Sequence, residues 1–223
     1  MAGTIALNRT ELDAFLAALA DRPLRDQAMA RTALHTGLRA GTLLGLRVED
    51  VWDGTGVRPV LYVARHRLKN GNGVRKRSVT GRYIPIHPAA RAALLAYIQE
   101  RAGSGPLHGR APLFRSKKGG AVRLWRWNRI LTETMAAAGI CTAGRSSHAL
   151  RKTFCALCLE SAGGRLHVVQ LAMGHRHLST LQAYLPCADT EAATAILDVE
   201  TAGIECADRL SGVEGPPGTS AVE

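Results

Sequence analysis

The stretch SSHALRKTF, residues 146–154, predicts a helix that presents a histidine and an arginine from its first turns. The serines are typical helix caps, so we expect the helix to begin near His148. His148 and Arg151 are three residues apart and share one face of that helix. Free N–H groups and the helix dipole favour an anion at this end, and an arginine fork beside a histidine suits a phosphate. A capped surface helix is the alternative interpretation.

Two further segments carry polar residues among apolar neighbours. In TGLRAGTLLGL, Arg39 stands at the entry to a short helix, where it either points into a cleft or extends along the surface to solvent. In MGHRHLSTLQAYL, His175 follows a glycine at a helix end, and Tyr184 comes nine residues later. A core histidine and a core tyrosine are the alternatives for this pair. His177 lies beside them and is interpreted as a surface residue.

In chain order, these pieces resemble the catalytic domain of the tyrosine recombinase (phage integrase) family, which carries R…K…HxxR…GH…Y. TGLRAGTLLGL, YIPIHP, PLFRSKKGG, AAAGI, HALRKTF and QLAMGHRHLSTLQAYL look like successive family segments, and the resemblance covers roughly residues 5–200. It implies a site-specific DNA recombinase or integrase, of the kind that mobile elements use. The catalytic residues it implies are Arg39, Lys69, His148, Arg151, His175 and Tyr184.

The resemblance also implies the role of each group. Tyr184 would attack a DNA phosphorus, giving a 3′-phosphotyrosyl bond and a free 5′-hydroxyl. Arg39 and Arg151 would hold the non-bridging oxygens and stabilise the charge that develops on them. His148 would act in proton transfer, and His175 would hydrogen-bond the phosphate. One phosphodiester replaces another, so the reaction needs no cofactor, neither ATP nor a metal.

The lysine that protonates the departing 5′-oxygen is expected in a β-hairpin before YIPI. Lys69 and Lys76 both qualify because the hairpin is long. We prefer Lys69, which ends the first predicted strand, and keep Lys76 as the alternative.

The charge of the chain favours a polyanionic partner, and we expect double-stranded DNA. The net charge is +11, and residues 187–223 hold eight acids and one base, so the rest of the chain is more basic still. Two dense basic stretches stand out, and a solvated surface is their simpler explanation. The candidate DNA-binding residues are Arg65, Arg67, Lys76, Arg77, Arg82, Lys117, Lys118, Arg123 and Arg126. Trp125 and Trp127 are candidates to pack against DNA sugars, with core packing expected for at least one.

Periodicity predicts a mainly α chain with a small antiparallel β-sheet, an α+β fold that agrees with the family resemblance. We expect a helix capped at Thr10 or just before it, a second one from Pro23 that ends at Gly37, and further helices beginning at Pro88 and Leu124. Two strands are expected over residues 57–70 and 75–86, joined by the GNG turn at residues 71–73, and LHVVQLAMG predicts a last short helix.

Residues 1–205 are interpreted as the catalytic domain without the N-terminal core-binding domain of the family, and residues 206–223 as a flexible C-terminal tail. The acidic and partly apolar segment after Tyr184 resembles the family's C-terminal helix, which docks on a neighbour. A homo-oligomer, a tetramer on DNA, is therefore expected. One departure concerns Arg39: the residue three positions later is usually acidic in the family and is Thr42 here.

The cysteines suggest neither a disulfide framework nor a metal site. Five cysteines are present, and Cys155 and Cys158 fall within a predicted helix with no second pair for zinc, so core packing is expected. No apolar run approaches the length of a membrane span, and the N-terminus lacks a secretory pattern, so a cytoplasmic protein without membrane contact is expected.

Two other functions fit the same residues. A type IB topoisomerase-like enzyme would use the same tyrosine chemistry to nick and close a single duplex. A catalytically inactive DNA-binding protein of the same fold is conceivable because of Thr42. The presence of all the main catalytic residue types favours the recombinase.

Overall fold

A computed structural model describes residues 4–67 and 81–174 of the chain. The helices within these ranges are α1 (Arg9–Ala20), α2 (Leu24–Thr36), α3 (Ala40–Leu44), α4 (Val48–Val51), α5 (Pro88–Gly103), α6 (Leu124–Ala137), α7 (His148–Ser161) and α8 (Leu166–Met173). The strands are β1 (Val60–Val63) and β2 (Arg82–Pro85). The predicted mainly helical fold with a small antiparallel sheet is confirmed for these ranges.

Helix boundaries follow residues that satisfy the free backbone groups of helix ends. Asn8 accepts from the Glu11 N–H at 2.8 Å, and Glu11 accepts from the Asn8 N–H at 3.0 Å, which closes a capping box before α1. The α2 helix ends at Gly37, whose φ of 59° is left-handed. A side chain at Gly37 would also meet Phe154, because an added Cβ would lie 2.2 Å from Cδ1 of that ring. The Gly37 turn therefore packs directly against α7.

The core lies between α2 and the helices around it. The α2 helix packs against α5 and α7, α1 packs against α6, and α7 packs against α8. Large side chains within these contacts are fully buried, among them Phe15, Met29, Leu94 and Trp127. Burying one such side chain contributes about 2 kcal/mol. The core therefore fixes α7, and with it His148 and Arg151, relative to the Gly37 turn.

The two strands pair antiparallel, with Leu61 opposite Ile84 and Tyr62 opposite Tyr83. Leu61 and Ile84 are buried, whereas Tyr62 and Tyr83 are exposed and have ring centroids 4.8 Å apart. The alternation of buried and exposed residues along the strands is the pattern that the sequence predicts for this sheet.

The first strand is shorter than the prediction of residues 57–70. It ends at Val63, and residues Arg65–Arg67 form a turn of 3₁₀ helix. The backbone bends because the Arg67 N–H donates to the Ala64 carbonyl at 3.0 Å, while the Thr42 hydroxyl donates to the Arg67 carbonyl at 3.2 Å. The predicted turn at residues 71–73, the first half of the second predicted strand and the predicted tail at residues 206–223 lie outside the described residues.

Candidate active site

Arg151 lies at the centre of the site and is 3% exposed. It projects from α7 between the α2–α3 turn and the end of α8. Its guanidinium donates to the carbonyl of Gly37 through Nη1, and to that of Met173 through Nη2 at 3.2 Å. Arg151 therefore links backbone two residues before Arg39 to backbone two residues before His175. No feature of the sequence could show this, since the two carbonyls belong to distant segments.

Arg39 is the residue that immediately precedes α3. Its backbone is extended and its side chain is partly exposed, so the charge is not enclosed in the core. Burial, followed by the nearby positive charge of Arg39, lowers the pKa of Arg82. Two arginines thus lie close together beside the buried Arg151, and a cationic group of this kind attracts an anion such as phosphate.

His148 is the first residue of α7 and is exposed. Its backbone N–H donates to the Ser146 hydroxyl at 3.4 Å, so Ser146, one of the two predicted capping serines, contacts this helix end. His148 stands one turn before Arg151 on the same helix. The arrangement puts an exposed imidazole at the helix N-terminus and a buried guanidinium behind it.

Three of the six predicted catalytic residues, Lys69, His175 and Tyr184, lie outside the described residues, as do Lys76 and Arg77. The described residues end at Gly174, the residue before His175. Gly174 ends α8 with a left-handed φ of 61°. The other three, Arg39, His148 and Arg151, come together around the α2–α3 turn and α7. Their catalytic roles stay predictions.

Three of the predicted DNA-binding arginines have partners within the protein. Arg126 forms an ion pair with Glu133 at 3.9 Å. Arg67 forms an ion pair with Asp50, which balances its charge locally. The Arg82 guanidinium donates to backbone carbonyls at the end of α8. The contacts of Arg67 and Arg82 account for the positions of these two arginines without DNA. Neither contact could be predicted from the sequence, where both residues only add to a basic stretch. Arg65, by contrast, is exposed.

Thr42, which stands where the family usually has an acid, is 7% exposed. Its hydroxyl holds the Arg67 carbonyl rather than a side chain of the site. The residue thus fixes the backbone at the point where the described chain leads into the segment that carries Lys69.

Lys117 and Lys118 are exposed on a tight turn whose ends pair at Arg115 and Ala121. The Ser116 N–H donates to the Gly120 carbonyl at 2.7 Å and closes the turn. Both side chains are accessible to solvent, and their contact with backbone phosphates stays a prediction.

A buried carboxylate fastens this turn to α2. Asp26 is 1% exposed, and its Oδ1 accepts from Nε of Arg25 at 2.8 Å. Arg25 in turn donates through Nη1 to the Arg115 carbonyl at 3.1 Å. Sequence reasoning missed Asp26. A carboxylate on the helix face that is otherwise lined by alanine and methionine was the available signal.

The two tryptophans of α6 have different environments. Trp127 is 1% exposed and belongs to the core, as expected for at least one of them. Trp125 is 63% exposed and lies between Arg123, which is exposed, and Arg126, which is partly exposed. The exposed indole and the two guanidinium groups form a surface suited to a sugar–phosphate backbone.

The buried Cys155 of α7 is not suited to chemistry at the site. Burial, and then the neighbouring Cys158, raise the pKa of the Cys155 thiol to about 11. A thiol with so high a pKa is protonated at neutral pH and is a poor nucleophile or metal ligand. Within residues 4–67 and 81–174, no cluster of three or more metal-ligating side chains is found. In the same ranges, no helix has both the length and the apolar character that crossing a bilayer requires.

The chain belongs to the phage integrase family, whose model matches residues 6–191. It is 31% identical to the tyrosine recombinase XerD of Caulobacter vibrioides over 188 residues, which are 80% of this chain and 56% of that protein. The chain spans about half the length of the curated relatives it matches.

Solved structures share the fold. The crystal structure of XerA recombinase aligns with a TM-score of 0.67 at 22% identity, over 88% of this chain and 64% of that one. The Tn1549 transposon integrase, solved with circular intermediate DNA, aligns with a TM-score of 0.63 at 20% identity, over 88% and 66% of the two chains. These alignments show that the chain shares the fold of the two proteins.

Proposed function

We propose that this chain cuts and rejoins double-stranded DNA at specific sites through a covalent bond between Tyr184 and a DNA phosphate. The proposal rests on the contacts of Arg151. One buried guanidinium holds the Gly37 carbonyl and the Met173 carbonyl, so the turn before Arg39 and the end of α8 meet at a single point. A phosphate at this point would meet two arginines and a histidine from separate parts of the chain.

The proposed reaction exchanges one phosphodiester for another. The Tyr184 oxygen bonds to phosphorus and its proton passes to His148, while the bond from phosphorus to the 5′-oxygen breaks. That oxygen takes a proton from a hairpin lysine, which leaves a 3′-phosphotyrosyl bond and a free 5′-hydroxyl. Arg39 and Arg151 stabilise the charge on the non-bridging oxygens. A 5′-hydroxyl of another strand reverses the step without ATP or a metal ion.

The DNA duplex would be held mainly through its phosphates. Exposed or partly exposed cations are available for this on the 3₁₀ turn, the lysine turn and the start of α6, namely Arg65, Lys117, Lys118, Arg123 and Arg126. Binding through such contacts weakens steeply as salt rises.

A covalent selection tests the proposed function across many target sequences at once. Duplexes with a randomised core and a nick are incubated with the protein, so that cleavage releases a short strand and traps the enzyme. Complexes that survive denaturation in SDS are recovered and sequenced. We expect one enriched duplex, cut to leave a 5′-hydroxyl that polynucleotide kinase labels directly. If no protein–DNA complex survives denaturation in SDS, the proposed function is wrong.

The two candidate lysines can be separated with a modified substrate. We expect Lys69→Ala to slow cleavage of the selected duplex by about 100-fold, since general acid catalysis contributes on this scale. A 5′-bridging phosphorothiolate, whose sulfur leaves without a proton, should restore the rate. Lys76→Ala is the matched control and should show neither effect. Rescue of Lys76→Ala instead of Lys69→Ala would transfer the role to Lys76.

We further propose that the protein assembles on DNA as a tetramer through the segment that follows Tyr184. Its support is the resemblance of that acidic, partly apolar segment to a docking helix. The protein is mixed with the selected duplex at two protomers per duplex. Multi-angle light scattering is then expected to show complexes of four protomers and two duplexes. A single protomer per duplex at all concentrations would exclude this assembly.

A further inference from the structure

The guanidinium of Arg82 caps the C-terminal end of α8. Nη2 donates to the Ala172 carbonyl at 2.7 Å and to the Leu171 carbonyl at 3.3 Å, and Nη1 donates to the Met173 carbonyl at 3.1 Å. The last carbonyls of a helix lack intrahelical partners and carry the negative end of its dipole. A cation placed there satisfies both needs.

Gly174 makes this contact possible. An added Cβ at Gly174 would lie 2.3 Å from Nη1 of Arg82 and 2.4 Å from its Cζ, so a side chain at this position would force the guanidinium to move. The left-handed φ of Gly174 independently favours glycine. The approach of an arginine from a different segment and the local backbone therefore both favour glycine at the position before His175.

The same carbonyl also joins Arg82 to Arg151. The Met173 oxygen accepts from Arg82 Nη1 at 3.1 Å and from Arg151 Nη2 at 3.2 Å. Arg82 is the first residue of β2, so it follows closely on the segment of residues 68–80 that carries Lys69 and Lys76. Its position therefore ties the start of β2 and the end of α8 to the buried arginine.

The contacts of Arg82 are with carbonyl dipoles. Within the described residues, no carboxylate lies within ion-pair distance of its guanidinium, in contrast to the pairing of Arg67 with Asp50. Its nitrogens are occupied by three backbone oxygens, and the side chain is partly buried. Direct binding of a phosphate would require these bonds to be given up.

We propose that Arg82 is a positioning residue for DNA cleavage. It holds the end of α8, and with it the start of the His175 segment, against Arg151, and it does not itself contact a phosphate. This inference rests on the proposed function.

The test separates catalytic rate from binding. With the duplex recovered by covalent selection, the single-turnover cleavage rate at saturating protein and the salt dependence of Kd are measured for Arg82→Ala. We expect the rate to fall by about 100-fold, the scale of a small misplacement of catalytic groups. The slope of log Kd against log salt should stay unchanged. Arg82→Lys should recover part of the rate, because an ammonium group also binds terminal carbonyls.

The opposite pattern would overturn the inference. A phosphate contact predicts that Arg82→Ala lowers the salt slope by about 0.9 and leaves the saturated rate intact. A wild-type rate and slope together would also refute it. If the alanine variant fails to fold by circular dichroism, Arg82→Lys carries the same comparison. Absence of an adduct with the wild-type protein would instead count against the proposed function, so the two failures are distinguishable.

A double-mutant cycle examines the Arg82–Gly174 approach directly. Gly174→Ala alone should slow cleavage, because the new Cβ displaces the guanidinium and the backbone is strained. In the Arg82→Ala background the steric conflict is gone, so the same substitution should cost less, and the two effects should be non-additive. Fully additive effects would show that Arg82 and Gly174 act independently and would contradict the proposed contact.

Discussion

Tyr184→Phe is expected to form no SDS-resistant complex with the selected duplex, a loss of at least about 10,000-fold in adduct formation. Phenylalanine keeps the ring and removes only the oxygen that bonds to phosphorus. DNA affinity should therefore change by less than about twofold, because one hydroxyl contributes little to an interface made of phosphate contacts. A denaturing gel measures the adduct, and fluorescence anisotropy measures the affinity of the same preparation.

Two exposed tyrosines of the sheet provide the matched control. Tyr62 and Tyr83 are 48% and 76% exposed, so both side chains are accessible to DNA. We expect Tyr83→Phe to form adducts at the wild-type rate and mass spectrometry of the trapped peptide to identify Tyr184. An adduct that persists in Tyr184→Phe and disappears in Tyr83→Phe would place the nucleophile on the sheet.

Arg151→Ala is expected to lose both activity and stability. The cleavage rate should fall by at least about 1,000-fold, because the charge that develops on the phosphate loses a preorganised donor. The free energy of unfolding should fall by about 2–4 kcal/mol, since the buried Gly37 carbonyl loses its arginine donor and the Met173 carbonyl keeps only the bond from Arg82. Calorimetry should show a Tm lower by roughly 5–15 °C.

Arg39→Ala separates the two effects. Arg39 is partly exposed, so its removal should abolish cleavage to a similar extent while the free energy of unfolding changes by less than about 0.5 kcal/mol. We therefore expect Arg151 to act in both the site and the scaffold, and Arg39 to act in the site alone. Equal destabilisation by the two substitutions would contradict that distinction.

The fold was largely predictable because its signals are local. The helix that begins near Asn8 and the stop at Gly37 depend on caps within a few residues, and α7 begins at His148 as its serines indicate. The first strand was predicted too long. Its early end depends on the hydroxyl of Thr42, which is 25 residues away in the chain from the carbonyl it binds. The alternation of apolar and polar residues does not indicate such a long-range hydrogen bond.

The site was predictable to the extent that residue order encodes it. Arg39, His148 and Arg151 were identified from motif and spacing, and the structure brings their segments together. The contacts of Arg82 with the end of α8 were not predicted, because the charge of a basic stretch does not distinguish one arginine from another. Whether a guanidinium meets a phosphate or a helix end depends on the path of another segment, here the end of α8 at Gly174.

The burial of Asp26 determines what a salt titration of this protein measures. The ionic contact between Asp26 and Arg25 lies away from solvent, so added salt screens it far less than it screens the exposed Lys117 and Lys118. Rising ionic strength should remove the attraction of the lysine turn for DNA while the turn keeps its shape. The slope of a linear plot of log Kd against log salt would then give the number of phosphates neutralised, without a contribution from local unfolding.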